Sequence, residues 1–287
     1  MLALRTSKNH LEFDYAAAAK LYTAEKGDAK LSGELITSPW DLYAVESLRD
    51  RHGLRMGEEV PTDVFVFGFG EPEDPSWTKV GGRPYWPADK EWPALEDGSP
   101  AYFLAQFNFA DSRDLFDFEL PGEVLVITTN SEEEWIWEEE GLSFHWLPSG
   151  ITATEELPAP LPYPEAGPFY GVIHRTADYP DSLKSSRKLD VSQAYNLAEL
   201  NGTKIGGVPN FIQGGPETTP RFLCALGSIQ AEPNVPYPST NRREPLSLEF
   251  KGDGIYADQN CAVIGDMGNI YLFIAPDGTV STLSQCY

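Results

Sequence analysis

The spacing of apolar residues along the chain changes period near residue 60. Residues 14 to 26, "DYAAAAKLYTAEK", are rich in helix formers, with Asp14 placed to cap and Gly27 to stop them. Residues 38 to 54 repeat the pattern: Ser38-Pro39 opens, Leu42, Val45 and Leu48 fall on one face, and Gly53 closes. Two N-terminal helices are therefore expected. From residue 63 the chain alternates or runs apolar with β-branched and aromatic residues, predicting strands in "DVFVFGFG" (63–70), "AYFLAQFNFA" (101–110), "EVLVITTN" (123–130) and "LSFHWLP" (142–148). Five prolines and a glycine in "LPAPLPYPEAGP" (157–168) predict an extended connection. Beyond it come a strand at "GVIHRTA" and a helix over 181–200, with Asp181 at its start and Gly202 past its end.

Two strings in this pattern match. "KVGGRPYW" at residue 79 and "KIGGVPNF" at residue 204 share Lys, a β-branched residue, Gly-Gly and Pro in one register. Each precedes an apolar strand, aligned at Phe103 and Phe222, and then a glycine-led strand, aligned at Gly122 and Gly268. Three elements in one order predict an internal duplication. The chain then divides into an N-terminal helical segment (1–60), a first repeat (61–156), and a proline-rich connection with a second repeat (157–287). The fold class is α+β, mostly antiparallel sheet, with N-terminal helices.

The Gly-Gly strings do not suit a phosphate cradle. A P-loop feeds its glycines into Lys-Ser or Lys-Thr at a helix start, whereas here Pro84 and Trp86-Pro87 follow. A turn in which glycine takes positive φ fits both copies. The stretch "YWPADKEWP" does not recur, and it makes Tyr85, Trp86 and Trp92 the candidates for a role beyond folding.

The order of these segments resembles the YwqG-like family of bacterial proteins. The likeness is carried by Lys79, Gly81, Gly82, Pro84, Trp92 and Pro93, by Phe103 to Gln106, and by Gly122 with "VLVI". In the second copy it is carried by Lys204, Gly206, Gly207, Pro209, Phe222 and Leu223 with "GNIYLFI". It covers about 77 to 280. The resemblance implies a mixed, mainly antiparallel fold with internal pseudo-symmetry and no established catalytic site. Some members of that family sit near secreted-toxin genes, which implies an immunity role by association only. The second copy departs from the first in having "PNFIQGGPETTP" for the Trp-Pro segment and Ala225 in the place of Gln106.

Charge narrows the class of partner. Forty-four acidic and 21 basic residues leave a formal net charge of −23. Such a field repels phosphate backbones and anionic lipids, so neither nucleic acid nor membrane is expected as a partner and a basic protein is favoured. The excess is uneven: residues 51 to 150 hold 21 acidic and 6 basic side chains, and residues 181 to 250 hold 7 of each. Three scattered cysteines fit no disulfide framework or zinc motif, and no apolar run suits a signal peptide or membrane span. A cytoplasmic location is the expectation, without cofactor or metal.

All seven tryptophans lie in the first 146 residues. Trp135 and Trp137 stand in "SEEEWIWEEEG" between Glu132, Glu133 and Glu134 on one side and Glu138, Glu139 and Glu140 on the other. Strand period places both indoles on one face, an aromatic anchor in an acidic frame. The other reading is a solvated hairpin whose charges guard a sheet edge. Enzyme signals are sparse: the four histidines show no metal or nucleophile spacing, and Cys224 in "RFLCAL" reads as a core thiol. Carboxylates such as Glu71, Glu73 and Asp74 suit acid–base work only as far as any carboxylates in so acidic a chain do. The leading expectation is thus a non-catalytic module that binds a basic protein, with no catalytic residue assigned. The alternative is a carboxylate-dependent, small-molecule or glycan-active enzyme with a cleft between the halves.

Overall fold

The computed structural model describes residues 3–5, 11–13, 39–130, 141–155, 168–184, 196–216, 220–230, 261–262, 264 and 268–286. Strands β1 (Ala3–Arg5) and β2 (Leu11–Phe13) form a small antiparallel ladder before helix α1 (Pro39–His52). The main sheet holds β3 (Val60–Phe69), β4 (Lys79–Val80), β5 (Tyr102–Asn108), β6 (Val124–Thr129) and β7 (Leu142–Leu147) from the first half. The second half supplies β8 (Phe169–Asp178), β9 (Lys204–Gly206), β10 (Arg221–Gly227), β13 (Asn269–Ile274) and β14 (Val280–Gln285). A separate ladder pairs β11 (Ile229–Gln230) with β12 (Cys261–Ala262).

The sheet order is β14-β13-β10-β9-β3-β8-β4-β5-β6-β7, with every pairing antiparallel. The two long strands β3 and β8 pair along their whole length, from Val60↔Asp178 to Phe69↔Phe169. Each then takes the short Gly-Gly strand of the other half on its free side: β9 sits on β3, and β4 sits on β8. The halves are therefore interleaved at the centre of one sheet. The prediction of a mainly antiparallel sheet is met, and the expected strands appear within a few residues of their predicted bounds.

The N-terminal region keeps the second expected helix, 38–54, as α1 over Pro39–His52. It holds a short β-ladder as well as α1, and the helix expected over 14–26 lies outside the described residues. Over 181–200 the described residues form a 3-10 turn, Pro180–Lys184, and a helical turn at 196–198. The proline-rich connection and "SEEEWIWEEE" also fall outside the described residues. Among the described residues no helix is long and apolar enough to cross a membrane.

Most strands are covered on both faces, which is why "VLVITT" and "NIYLFI" run apolar without alternation. One face turns Phe65, Phe107, Leu125, Ile127, Leu226 and Leu272 into a single core shared by both halves. Burying an aromatic such as Phe107 contributes about 2 kcal/mol. Residues from near both ends of the sheet meet in this core, so the sheet curls around it. Each half has a register slip in the same place, between Phe103 and Ala105 in β5 and between Phe222 and Cys224 in β10. The extra residues, Leu104 and Leu223, both join the shared core. A bulge bends its strand and increases local twist, so two matched bulges supply curvature on both flanks. The expectation of a core thiol at Cys224 agrees with its full burial.

Charged groups fix the centre. Asp63 and Arg175 face each other across β3 and β8, and the guanidinium grips both oxygens of the fully buried carboxylate. Ser112 donates to the same carboxylate at 2.6 Å, and Asp114 accepts from Arg175 at 2.7 and 3.0 Å, so the β5–β6 connection is held over the central pair. Hydrogen bonds to Asp63 and Asp114 raise the pKa of Arg175 above its ordinary value. Because β3 lies between β8 and β9, a chain that begins at residue 70 loses the centre of the sheet. Such a chain is expected to lack a cooperative urea transition, whereas one spanning 39–287 retains it, measured by tryptophan fluorescence and circular dichroism.

Candidate functional site

The strongest local chemistry of the described residues is the turn that follows β4 and β9. Gly81 and Gly82 have φ of 67° and 74°, and Gly206 and Gly207 have 69° and 70°. Positive φ at consecutive positions explains both glycine pairs. In the first half Glu71 accepts from Lys79 Nζ at 3.1 Å through one oxygen and from the Arg83 backbone N–H at 2.7 Å through the other. In the second half a single oxygen of Asp178 accepts from Lys204 Nζ at 2.8 Å and from the Val208 N–H at 2.9 Å. Both arrangements tie the motif lysine and the first amide after Gly-Gly to one carboxylate. A Cβ on Gly82 would collide with Glu71, and one on Gly207 with Asp178.

The two clamps differ in depth. Glu71 is partly exposed, and burial lowers the pKa of Lys79 while Glu71 opposes that shift. Asp178 is fully buried; its other oxygen accepts the Leu200 N–H at 2.8 Å and lies 3.9 Å from Arg49. Arg49 of α1 is itself fully buried and donates to the Leu197 and Ala198 carbonyls at 2.6 and 3.3 Å. Burial lowers its pKa, with Glu46 and Asp178 opposing. Thus α1 is docked on the second half through charge.

The residue after the motif proline is pinned in both halves by different side chains. Gln106 Oε1 accepts from the Tyr85 N–H at 2.8 Å, and its amide donates to the Pro75 and Trp77 carbonyls. In the second half Ala225 occupies the matching place beside Lys204, and Tyr271, opposite Ala225 on β13, donates its hydroxyl to the Asn210 carbonyl. The departure seen at Ala225 is therefore made good from the neighbouring strand. Sequence offered no signal for this exchange, nor for Glu71, Asp178 and Arg49, which lie at irregular distances from the lysines.

The Trp-Pro segment covers the outer face of the first half. Tyr85 and Trp86 are 3% and 2% exposed and pack with Phe103, Val126 and Leu147, while Trp92 is half-buried against them. Trp86 Nε1 donates to the Lys90 and Glu91 carbonyls at 3.1 and 3.2 Å, Trp92 Nε1 to the Ala101 carbonyl at 2.7 Å, and the Tyr85 hydroxyl accepts from the Ile151 N–H at 3.0 Å. Lys90 Nζ lies 4.7 Å from the centre of the Trp86 ring. Of the eleven residues singled out for partner binding, these three are brought together; Glu132, Glu133, Glu134, Trp135, Trp137, Glu138, Glu139 and Glu140 lie outside the described residues.

His145 of β7 meets Trp86 edge-on at 5.2 Å, with Nε2 3.2 Å from Thr128 Oγ1. Burial, aided by the charge of Lys90, lowers its pKa below the ordinary 6.5. Among the described residues no group of three or more His, Cys, Asp or Glu could hold a metal ion. A curled antiparallel sheet whose buried carboxylates are engaged by lysine, arginine and backbone amides defines a β-rich scaffold. The chain belongs to a family described as a domain of unknown function, DUF1963, which matches residues 78–280. No curated protein matches the chain. Strand β3, which the sheet needs at its centre, lies before the matched span.

Two outcomes follow from this geometry. Gly207→Ala, which drives a methyl against a fully buried carboxylate, is expected to cost about 4 kcal/mol in urea unfolding, against about 2 kcal/mol for Gly82→Ala beside the partly exposed Glu71. A folded-state imidazole with a lowered pKa is protonated more readily in the unfolded chain. The His145 contribution is thus present above pH 6.5 and lost as pH falls from there toward the lowered value. Urea midpoints across that range should fall less steeply for His145→Asn than for the unaltered chain.

Proposed function

We propose that this protein is a non-catalytic module that captures a basic protein on its acidic first half. The observation that carries this reading is the concentration of charge, 21 acidic against 6 basic residues over 51–150. Glu73, Asp89, Glu91, Glu96, Asp117 and Glu119, all exposed, lie in that half. Such a field accelerates encounter with a cationic partner and disfavours acidic ones. The Glu-Trp segment 132–140 is the anchor in this reading, and Tyr85, Trp86 and Trp92 of the same acidic half are its further partner-binding candidates.

In its fullest form the proposal is a cytoplasmic bacterial immunity protein of YwqG-like type that occludes a basic secreted toxin. The matched clamps, matched bulges and mirrored strand order support an origin of its two halves by duplication. The enzyme alternative has less to build on. Asp63, Asp178 and Glu71 are engaged in ion pairs, Asp74 accepts from the Ser76 amide and hydroxyl, and packed apolar side chains join the halves. Converting Glu132, Glu133, Glu134, Glu138, Glu139 and Glu140 to lysine is expected to weaken capture of the partner pulled down from the native host, most strongly at low salt. Capture unchanged by all six reversals would remove this surface from the proposal.

A further inference from the structure

Among the described residues, the two outermost strands of the main sheet carry few of the usual guards of an edge in their own sequence. Strands β7, "LSFHWL", and β14, "VSTLSQ", carry no Asp, Glu, Lys, Arg or Pro, although 23% of the chain is charged. Their pairings with β6 over Val124–Thr129 and with β13 over Asn269–Ile274 run without a register slip, and the Glu123 N–H reaches the Leu147 carbonyl one place out of register only at the end of β7. Edges of natural sheets are ordinarily blunted by one of these devices. The bond from the Asn130 N–H to the Gly141 carbonyl sets the phase of the β6–β7 ladder. Residues 143, 145 and 147 then turn their backbone groups toward β6, and Leu142, Phe144 and Trp146 turn theirs outward. On the same strand the Trp146 indole nitrogen is buried without an acceptor among the described residues.

Charge separates the two edges and selects the occupant. β7 belongs to the strongly acidic half and follows the six glutamates of 132–140 in sequence, whereas β14 follows residues 251–279, with four acidic and one basic side chain, and before them the charge-balanced stretch 181–250. A second copy of this chain brings another net charge of −23 to the edge. We infer that β7 is an acceptor edge for an extended segment of a basic protein, which adds as an eleventh strand. Backbone hydrogen bonds to Leu142, Phe144 and Trp146 would supply the binding, and the net negative charge of the half that carries β7 would select positive charge on the incoming strand. This inference rests on the reading of the acidic half as the docking surface and names how the partner is held.

The test uses the full chain and a synthetic peptide of alternating lysine and valine, with a glutamate–valine peptide of equal length as the counterpart. Amide hydrogen exchange is followed in β7 and β14. The lysine peptide is expected to slow exchange at Leu142, Phe144 and Trp146 roughly tenfold, less at high salt, and to leave Val280, Thr282 and Ser284 unchanged. Ser143→Lys, at the exposed position of β7, should weaken this protection, and Ser281→Lys, its counterpart on β14, should not.

Four results overturn the inference: equal protection of β14, equal protection by the glutamate peptide, outward β7 amides already slow in the free chain, or protection that rises with protein concentration alone. The third means that the chain covers its own edge, and the fourth that a second copy does. Protection that survives reversal of the six glutamates supports strand addition while removing those glutamates from the docking surface. Capture of a basic protein without protection of β7 overturns strand addition and leaves the docking reading intact.

Discussion

A buried lysine ammonium that shares one carboxylate with a backbone amide, under a turn of two positive-φ glycines, is the constraint on which the rest of this structure depends. It occurs twice, as Lys204 with Asp178 and as Lys79 with Glu71. The glycine pair removes the side chain that would displace the carboxylate, and the carboxylate neutralises a lysine the sheet buries almost completely. A buried ion pair of this kind is not a large net source of stability, because desolvation offsets most of the attraction. Its worth is in geometry. Removing one partner leaves an uncompensated buried charge, so the chain is held to the arrangement in which β4 and β9 lie against the opposite long strands.

That arrangement explains why the halves do not separate into two bodies. Each opening strand pairs with its counterpart and with the Gly-Gly strand of the other half, and the shared core draws on strands from both. Helix α1 belongs to the same unit through Arg49, although the family match begins well after it. Curvature from the two bulges turns both flanks toward the core and leaves β7 and β14 as the ends of the sheet. The two ends differ in charge, since β7 lies in the half that carries most of the acidic excess.

Much of this was legible in the sequence. Strand positions followed from β-branched and aromatic runs, and the recurrence of Lys-x-Gly-Gly-x-Pro located the two turns and their positive φ. The interleaving was not legible, because strand order depends on contacts more than a hundred residues apart, such as Val60 with Asp178. Nor were the lysine partners, since Glu71 lies 8 residues before Lys79 and Asp178 lies 26 before Lys204. The Trp-Pro segment showed its composition but not its burial: aromatic residues beside proline suit an exposed platform and a covering layer equally. The first sixty residues read as helical because their composition is helical, while the ladder of β1 and β2 is set by pairing that three-residue strings do not announce.

A double-mutant cycle on Lys204 and Asp178 tests the central role of the clamp most directly, with Lys204→Met, Asp178→Asn and the pair compared by equilibrium urea unfolding. Both side chains are buried in the same network, so the cycle reads their interaction with little solvent screening. Each single substitution should destabilise strongly and the double substitution far less than their sum, a coupling of about 3 kcal/mol. A coupling within about 0.5 kcal/mol of zero would contradict the account, because the lysine and the carboxylate would then act independently.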